Sequence, residues 1–148
     1  MNQRRGTRTW MAGTLAAVLL LAACGSDGGL TIDDAWGRTS PSAAANGAFY
    51  MTIGNDTGQA DVLESVSTDA CGTVELHQTT MEDDVMRMSP VEGGIEIPAH
   101  GEAVLEPGGF HVMCLDKQVA FDEGVTVDVT LHFAVAGDRT VEAEIRSE

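Results

Sequence analysis

Residues 126–146, "TVDVTLHFAVAGDRTVEAEIR", carry the clearest evidence for the fold class. Apolar and polar residues alternate through "TVDVTLHF", and they alternate again through "TVEAEIR". A period of two is typical of a β-strand that buries one face and exposes the other. The "AGDR" segment between the two halves carries turn-forming residues. The stretch therefore predicts an antiparallel β-hairpin.

Similar signals recur along the whole chain, and helical periodicity is almost absent. Short alternating or β-branched runs are separated by Gly, Asp, Asn and Pro, and an acidic turn is predicted at residues 82–84. The piece that Pro98 ends is edge-like. This spacing predicts an all-β, antiparallel sandwich or barrel whose topology stays open. The other predicted strands are residues 30–38, 47–55, 61–68, 72–79, 84–91, 94–98, 102–106 and 110–116.

The N-terminus has the layout of an export signal. Arg4, Arg5 and Arg8 precede a run of small and apolar residues that is too short to span a bilayer comfortably. The run ends in "LAAC", which resembles a bacterial lipobox in which Cys24 is lipidated; the alternative is an ordinary secretion signal with a chance cysteine. The prediction is a lipoprotein signal peptide at residues 1–23, a flexible linker at 24–29 and one domain at 30–148. Such a protein is exported and lipid-anchored to the cell membrane on its extracytoplasmic side.

Charge and cysteine content narrow the class of protein further. The net charge is −15, and removal of the leader with its three arginines would make it about −18. Such acidity disfavours binding to nucleic acid. If Cys24 carries lipid, Cys71 and Cys114 are an even pair in an oxidising compartment, where a disulfide worth about 4 kcal/mol is the default. His77 has the same strand parity as Cys71, so this bridge requires a break in regularity near Gly72.

Histidine and methionine cluster in one third of the chain. Outside the leader, four of five methionines lie between residues 81 and 113, and three of four histidines lie between 77 and 111. Strand alternation puts His111 and Met113 on one face and Cys114 on the other. Imidazole with thioether suits a soft ion, above all Cu(I), whereas methionine is a poor zinc ligand. His77 and a methionine from residues 81–88 are candidates for the other half of the site.

Several residues of these types have simpler interpretations. Met51 lies inside an apolar strand and is predicted to be core. His132, in the alternating strand that opens residues 126–146, is predicted to be structural or superficial, and His100 is predicted to be solvated in a Pro/Gly turn. No nucleophile–base pair or acidic dyad stands out, so the protein is predicted not to be an enzyme.

Residues 75–115, "ELHQTTMEDDVMRMSPVEGGIEIPAHGEAVLEPGGFHVMCL", resemble the periplasmic PCuA(C) copper chaperones. The family signature is a His, a Met eleven residues later, and a His-x-Met pair preceded by "PGG". His77 and Met88 have this separation, and His111 and Met113 follow Pro107–Gly108–Gly109 and Phe110. Residues 33–38 and 47–68 also resemble the N-terminal half of the family, so the resemblance covers nearly the whole domain.

The resemblance implies a cupredoxin-like (Greek-key) β-sandwich that binds one Cu(I) through His77, Met88, His111 and Met113. It also implies delivery to a copper acceptor, either the binuclear copper centre of cytochrome c oxidase or a thiol-dependent partner chaperone. Some members carry Met directly after the first His, where this chain has Gln78. Met81 and Met86 would be accessory sulfurs during transfer or core residues.

Two other functions fit parts of the pattern. An electron-transfer cupredoxin needs a His₂Cys site with a weak axial Met, and Cys114 points away from His111 and Met113. A metal-free binding lipoprotein of the envelope would use the cluster only for packing. A test of Cu(I) binding distinguishes the metal-free lipoprotein from the copper chaperone.

Overall fold

A computed structural model describes residues 29–148. The predicted signal peptide, the lipidation site at Cys24 and all but the last residue of the predicted linker lie outside the described residues. In the described part of the chain no helix is long and apolar enough to cross a membrane. Ten strands account for the regular structure there, so the all-β prediction is confirmed.

The strands follow the predicted segments closely and are numbered in chain order. They are β1 (Leu30–Arg38), β2 (Gly47–Asn55), β3 (Asp61–Ser67), β4 (Cys71–Glu82), β5 (Val85–Pro90), β6 (Ile95–Ile97), β7 (Gly101–Leu105), β8 (Phe110–Lys117), β9 (Thr126–Phe133) and β10 (Gly137–Arg146).

Hydrogen bonding links all ten strands in the order β5-β4-β8-β7-β2-β1-β10-β9-β3-β6. The predicted β9–β10 hairpin is present, with Thr126 opposite Glu144 and Phe133 opposite Gly137. The short β6 lies at one end of this order, as its flanking proline indicated. β5 lies at the other end and pairs only with β4, so one side of its backbone is an edge.

The expectation of a wholly antiparallel sheet is wrong at two pairings. β1 runs parallel to β10, because the first and last strands are joined by the whole domain and no short turn fixes their relative direction. β7 runs parallel to β8 where Leu105 meets Phe110. Both of these strands pair antiparallel with β2, one after the other, and must therefore be parallel to each other.

One hydrophobic core unites the two ends of the strand order. Leu76 of β4 and Ile97 of β6 belong to the same cluster, so the sheet bends round and encloses its apolar faces. β9 buries Val127, Val129, Leu131 and Phe133 at every second position. Met51 is 2% exposed, which confirms its assignment to the core. β5 differs from the other strands because all of its residues are exposed.

A disulfide between Cys71 and Cys114 joins β4 to β8, with their Cα atoms 5.4 Å apart. The strands keep one register on either side, with Cys71 opposite Lys117 and Thr73 opposite Leu115. Between these pairs Asp116 adopts a left-handed conformation with φ of 56°. A backbone irregularity therefore lies directly opposite Gly72, on β8, whereas the expected break was placed on β4, and Cys71 is buried in the core.

Candidate metal centre

Two histidines face each other across neighbouring strands at the centre of the candidate site. His77 of β4 lies directly opposite His111 of β8, and their ring centroids are 5.8 Å apart. Directly opposed residues on antiparallel strands point to the same face. The structure therefore brings together the two histidines that the sequence placed 34 residues apart.

The ring of His111 is buried, with 4% of its surface exposed. Its Nδ1 lies 3.2 Å from the carbonyl oxygen of Gly109, to which an Nδ1–H group donates. Burial lowers the pKa of His111, the Gly109 carbonyl partly opposes this shift, and the neighbouring His77 lowers the pKa further. A neutral ring that donates through Nδ1 leaves the lone pair on Nε2, so Nε2 is the atom available to a metal.

His77 is held by a carboxylate on its own strand. Its Nε2 lies 2.8 Å from Oε2 of Glu75, which is two residues away and therefore on the same face. Its Nδ1 is buried and has no hydrogen-bond partner. A buried polar atom without a hydrogen-bond partner is energetically costly and requires an explanation. Coordination of a metal ion by the lone pair of Nδ1 would be such an explanation. Glu75 is a site residue that sequence reasoning missed, although its parity with His77 could have revealed it.

Met113 and Met88 border the same apolar pocket. Met113 follows His111 by two residues on β8 and is partly buried, whereas Met88 lies on the edge strand β5 and is 63% exposed. Tyr50 and Arg38 also line this pocket. The Tyr50 ring centroid lies 6.3 Å from that of His111, and burial raises the Tyr50 pKa, partly offset by Arg38. Two thioethers thus meet at a pocket whose aromatic wall adjoins the histidine pair.

The donor chemistry of this region is soft. Within residues 29–148, no three side chains of His, Cys, Asp or Glu are grouped so that they could hold a metal ion. The pocket beside the two imidazoles is bordered instead by the methionines Met88 and Met113. Thioether and imidazole donors favour Cu(I) over Mg²⁺ or Ca²⁺, which need oxygen ligands.

The accessory methionines lie on the β4–β5 hairpin. Met81 pairs with Met86, next to a two-residue turn made by Asp83 and Asp84. The two methionines are 66% and 63% exposed, so core packing is wrong for both. The acidic turn is where the sequence predicted it.

The remaining histidines lie elsewhere, as expected. His100 is exposed in a turn with φ of 52°. His132 takes part in a hydrogen-bonded chain, with Nε2 2.9 Å from Oγ of Ser67 and Nδ1 2.8 Å from Oδ1 of Asp138. This order matches that of a hydrolytic triad, but such triads bury their carboxylate, and the Asp138 side chain is 71% exposed. The chain of hydrogen bonds fastens β3, β9 and β10 to one another.

Residues 30–145 match the family model "Putative lipoprotein LpqE-like". The chain belongs to the LpqE-like family. A similar relative is "Putative lipoprotein Lxx21020" of Leifsonia xyli subsp. xyli, 28% identical over 141 residues, with 86% of this chain and 84% of the relative covered. The uncharacterized protein RP573 of Rickettsia prowazekii (strain Madrid E) is 26% identical over 104 residues, which cover 70% of this chain and 58% of that protein.

Solved structures of PCuAC domains have the same fold, which confirms the resemblance found in the sequence. The copper-bound PCuAC domain from PmoF2 superposes with a TM-score of 0.68 at 24% identity, covering 82% of this chain and 95% of that domain. The apo PCuAC domain from PmoF1 gives 0.68 at 25% identity, with 82% and 96% covered. The Cu(I) form of DR1885 from Deinococcus radiodurans gives 0.63 at 25% identity, with 86% and 84% covered.

Proposed function

We propose that this LpqE-like protein is an extracytoplasmic metallochaperone that binds one Cu(I) through His77, Met88, His111 and Met113. One observation carries the proposal: two facing histidines, one buried with Nε2 available, adjoin a pocket that two methionines border. The copper-bound PCuAC domain from PmoF2 and Cu(I)-DR1885, which share this fold, support copper as the cargo. We further propose the cupredoxin-like Greek-key sandwich for residues 30–148.

The protein's own residues suggest how the cargo is held and released. His111 is oriented by the Gly109 carbonyl, and its depressed pKa keeps the ring neutral and ready to donate. Met88 is solvent-exposed on the edge strand, where ligands of an acceptor could approach. Neither thioether needs deprotonation. Transfer would proceed associatively, with an acceptor ligand binding Cu(I) before a donor of this protein leaves, and with no change of oxidation state.

The proposal also covers the cellular location of this protein and the protein that accepts its copper. The lipobox-like "LAAC" and the lipoprotein family support anchoring through a lipid on Cys24 at the extracytoplasmic side of the cell membrane. The acceptor would be the copper-bearing subunit of cytochrome c oxidase or a thiol-dependent partner chaperone. A net charge of −15 favours a basic docking surface on that acceptor. Transfer rates should then fall as salt is added, and rates insensitive to salt would contradict electrostatic docking.

The other functions are less well supported. A blue-copper electron carrier needs a cysteine thiolate on the metal. Cys114 is joined to Cys71 and is completely buried, so it offers no thiolate. We propose that the protein is not an enzyme, and that a metal-free role in the envelope is the outcome if copper does not bind.

An anaerobic Cu(I) titration of the mature domain against a chromogenic Cu(I) chelator tests the proposal. Loss of residues that merely support a metal site costs about 10–100-fold in affinity. His111→Ala and Met88→Leu each remove a direct donor, and His111→Ala should weaken binding by at least that factor. His132→Ala is the matched control, because it removes an imidazole remote from the site. If the wild-type domain cannot compete with the chelator, or if both donor variants bind like wild type, the chaperone assignment fails.

A further inference from the structure

The outer part of the β4–β5 hairpin exposes an unusual amount of apolar surface. Among the described residues, seven large hydrophobic side chains are exposed, and four of them lie between residues 81 and 88. Three of these four are methionines, namely Met81, Met86 and Met88. An edge strand with exposed apolar side chains is a liability that proteins normally avoid. A function that requires the methionine sulfurs to be exposed to solvent would explain their position on this hairpin.

The strand register brings the three sulfurs to one place. Met81 lies directly opposite Met86, and Met88 is two residues further along β5, opposite Thr79. Alternation puts Met86 and Met88 on one face, and pairing puts Met81 on that face too. Opposite residues have Cβ atoms about 5 Å apart and diagonal ones about 7–8 Å apart. Methionine has three rotatable bonds, so the three thioethers can converge on one ion.

The surroundings of this trio favour a cation. Glu82 and the turn residues Asp83 and Asp84 adjoin Met81 and Met86 and supply three carboxylates. Arg87 of the same hairpin is paired with Glu82, its Nε lying 3.0 Å from the carboxylate, which leaves the turn net acidic. A negative potential raises the local concentration of positive ions. Carboxylates are hard donors, so a soft ion that they attract would bind to the sulfurs.

We propose that Met81, Met86 and Met88 form a second, all-thioether Cu(I) position at the end of this hairpin. The proposal rests on the proposed function, because Met88 also belongs to the inner site with His77 and His111. Cu(I) moves outward when the sulfurs of Met81 and Met86 form bonds to it while it is still held by Met88. The bonds to the two imidazole nitrogens and to the Met113 sulfur then break, and the copper stays Cu(I) with no electron or proton transferred. The hairpin end is thus the exit position from which an acceptor takes the ion.

Cu(I) stoichiometry measured anaerobically by chelator competition on the mature domain tests this position. Wild type should bind two equivalents, the second more weakly, because Met88 is then shared with the inner copper and only Met81 and Met86 supply sulfurs of their own. Met81→Leu/Met86→Leu conserves volume at two exposed sites and should bind one equivalent with affinity within about 2-fold of the first. Val85→Leu, an exposed apolar change on the same strand without loss of sulfur, should still bind two. His77→Ala/His111→Ala should keep one equivalent, with X-ray absorption showing only sulfur around the copper.

The outcomes separate this inference from the proposed function. If wild type binds a single equivalent, or the double leucine variant still binds two, the exit position is wrong and the chaperone assignment stands. If the double alanine variant loses all copper or shows nitrogen ligands, the all-thioether assignment is overturned. If the first equivalent persists at full affinity without both histidines, the inner site is wrong while the hairpin position is supported.

Discussion

Two antiparallel hairpins of this protein share backbone geometry and differ in where their apolar side chains go. In β9–β10, the residues Val129 and Leu131 are completely buried and their neighbours face solvent. In β4–β5, strand β5 buries nothing, and its methionines are more than 60% exposed. Burial of an apolar side chain stabilises the fold by about 1.5–3 kcal/mol. The β5 methionines forgo that contribution, so β9–β10 contributes more to the stability of the fold, whereas exposed methionines on β5 fit their proposed role as copper ligands.

The disulfide joins β4, the first strand of the exposed hairpin, to β8. Its removal should have the largest effect on the stability of the domain. Cys71 and Cys114 are separated by 43 residues along the chain. Closing a loop of that size stabilises a fold by about 4 kcal/mol in the chain-entropy model. Cys71→Ala/Cys114→Ala should lower the free energy of unfolding by roughly this amount, measured by urea denaturation of the mature domain. An unchanged denaturation midpoint would mean that the β4–β8 pair is stable without its covalent link.

A truncation in each hairpin tests the contrast directly. Leu131→Ala leaves a cavity in the core, which typically costs about 2–5 kcal/mol. Met88→Ala removes an exposed side chain and should change stability by less than about 0.5 kcal/mol. Both values come from the same denaturation assay. A cost above 1 kcal/mol for Met88→Ala would show that the thioether packs against the domain and would weaken its assignment as an exposed donor.

Substitutions at the turns of the two hairpins should change the stability by smaller amounts, and in opposite directions. Gly137 has φ of 73°, whereas Asp84 occupies the same left-handed region with φ of 63°. A side chain there costs roughly 1–2 kcal/mol, and aspartate is among the residues that tolerate it best. Gly137→Ala should therefore destabilise by about 1 kcal/mol, and Asp84→Gly should stabilise by about 0.5 kcal/mol. Thermal unfolding of both variants measures the signs, and equal signs would contradict this explanation.

Cross-strand pairs give the smallest expected difference. Thr130 and Thr140 lie opposite each other in β9–β10, with their hydroxyl oxygens 2.8 Å apart. Such pairs contribute roughly 0.2–1 kcal/mol relative to alanine. Thr140→Ala should cost about 0.5 kcal/mol, whereas Met81→Ala, which disrupts the Met81–Met86 pair, should cost less. Double-mutant cycles on each pair measure the coupling, and a larger coupling for the methionines would point to packing between them.

Local patterns predicted most of the fold. Period-two alternation located β9 and β10, and the flanking proline marked the short edge strand β6, because each is defined by its own side chains and flanking turns. The parallel pairing of β1 with β10 was not predictable in this way. It depends on where the two ends of the domain meet, and no local pattern records that.

The candidate site likewise has features that local sequence patterns predicted and features that they did not. Parity correctly separated His111 and Met113 from Cys114, and the pairing of His77 with His111 follows once β4 and β8 are adjacent. The roles of Glu75 and of the left-handed Asp116 were missed. Glu75 resembles any surface carboxylate in the sequence, and a left-handed residue is expected at glycine rather than at the aspartate that faces Gly72.

The position of β8 gives the proposed copper path a direction. β8 is hydrogen-bonded to β4 on one side and to β2 and β7 on the other, and the Cys71–Cys114 disulfide links its core-facing side to β4. His111 and Met113 therefore lie on a strand that is hydrogen-bonded on both sides. Met88 lies on β5, an edge strand with a hydrogen-bonded neighbour on only one side. Under the proposed function, the copper would leave on the β5 side of the site, where Met88 lies, and not on the β8 side. The arrangement of the strands would then give copper release a fixed direction.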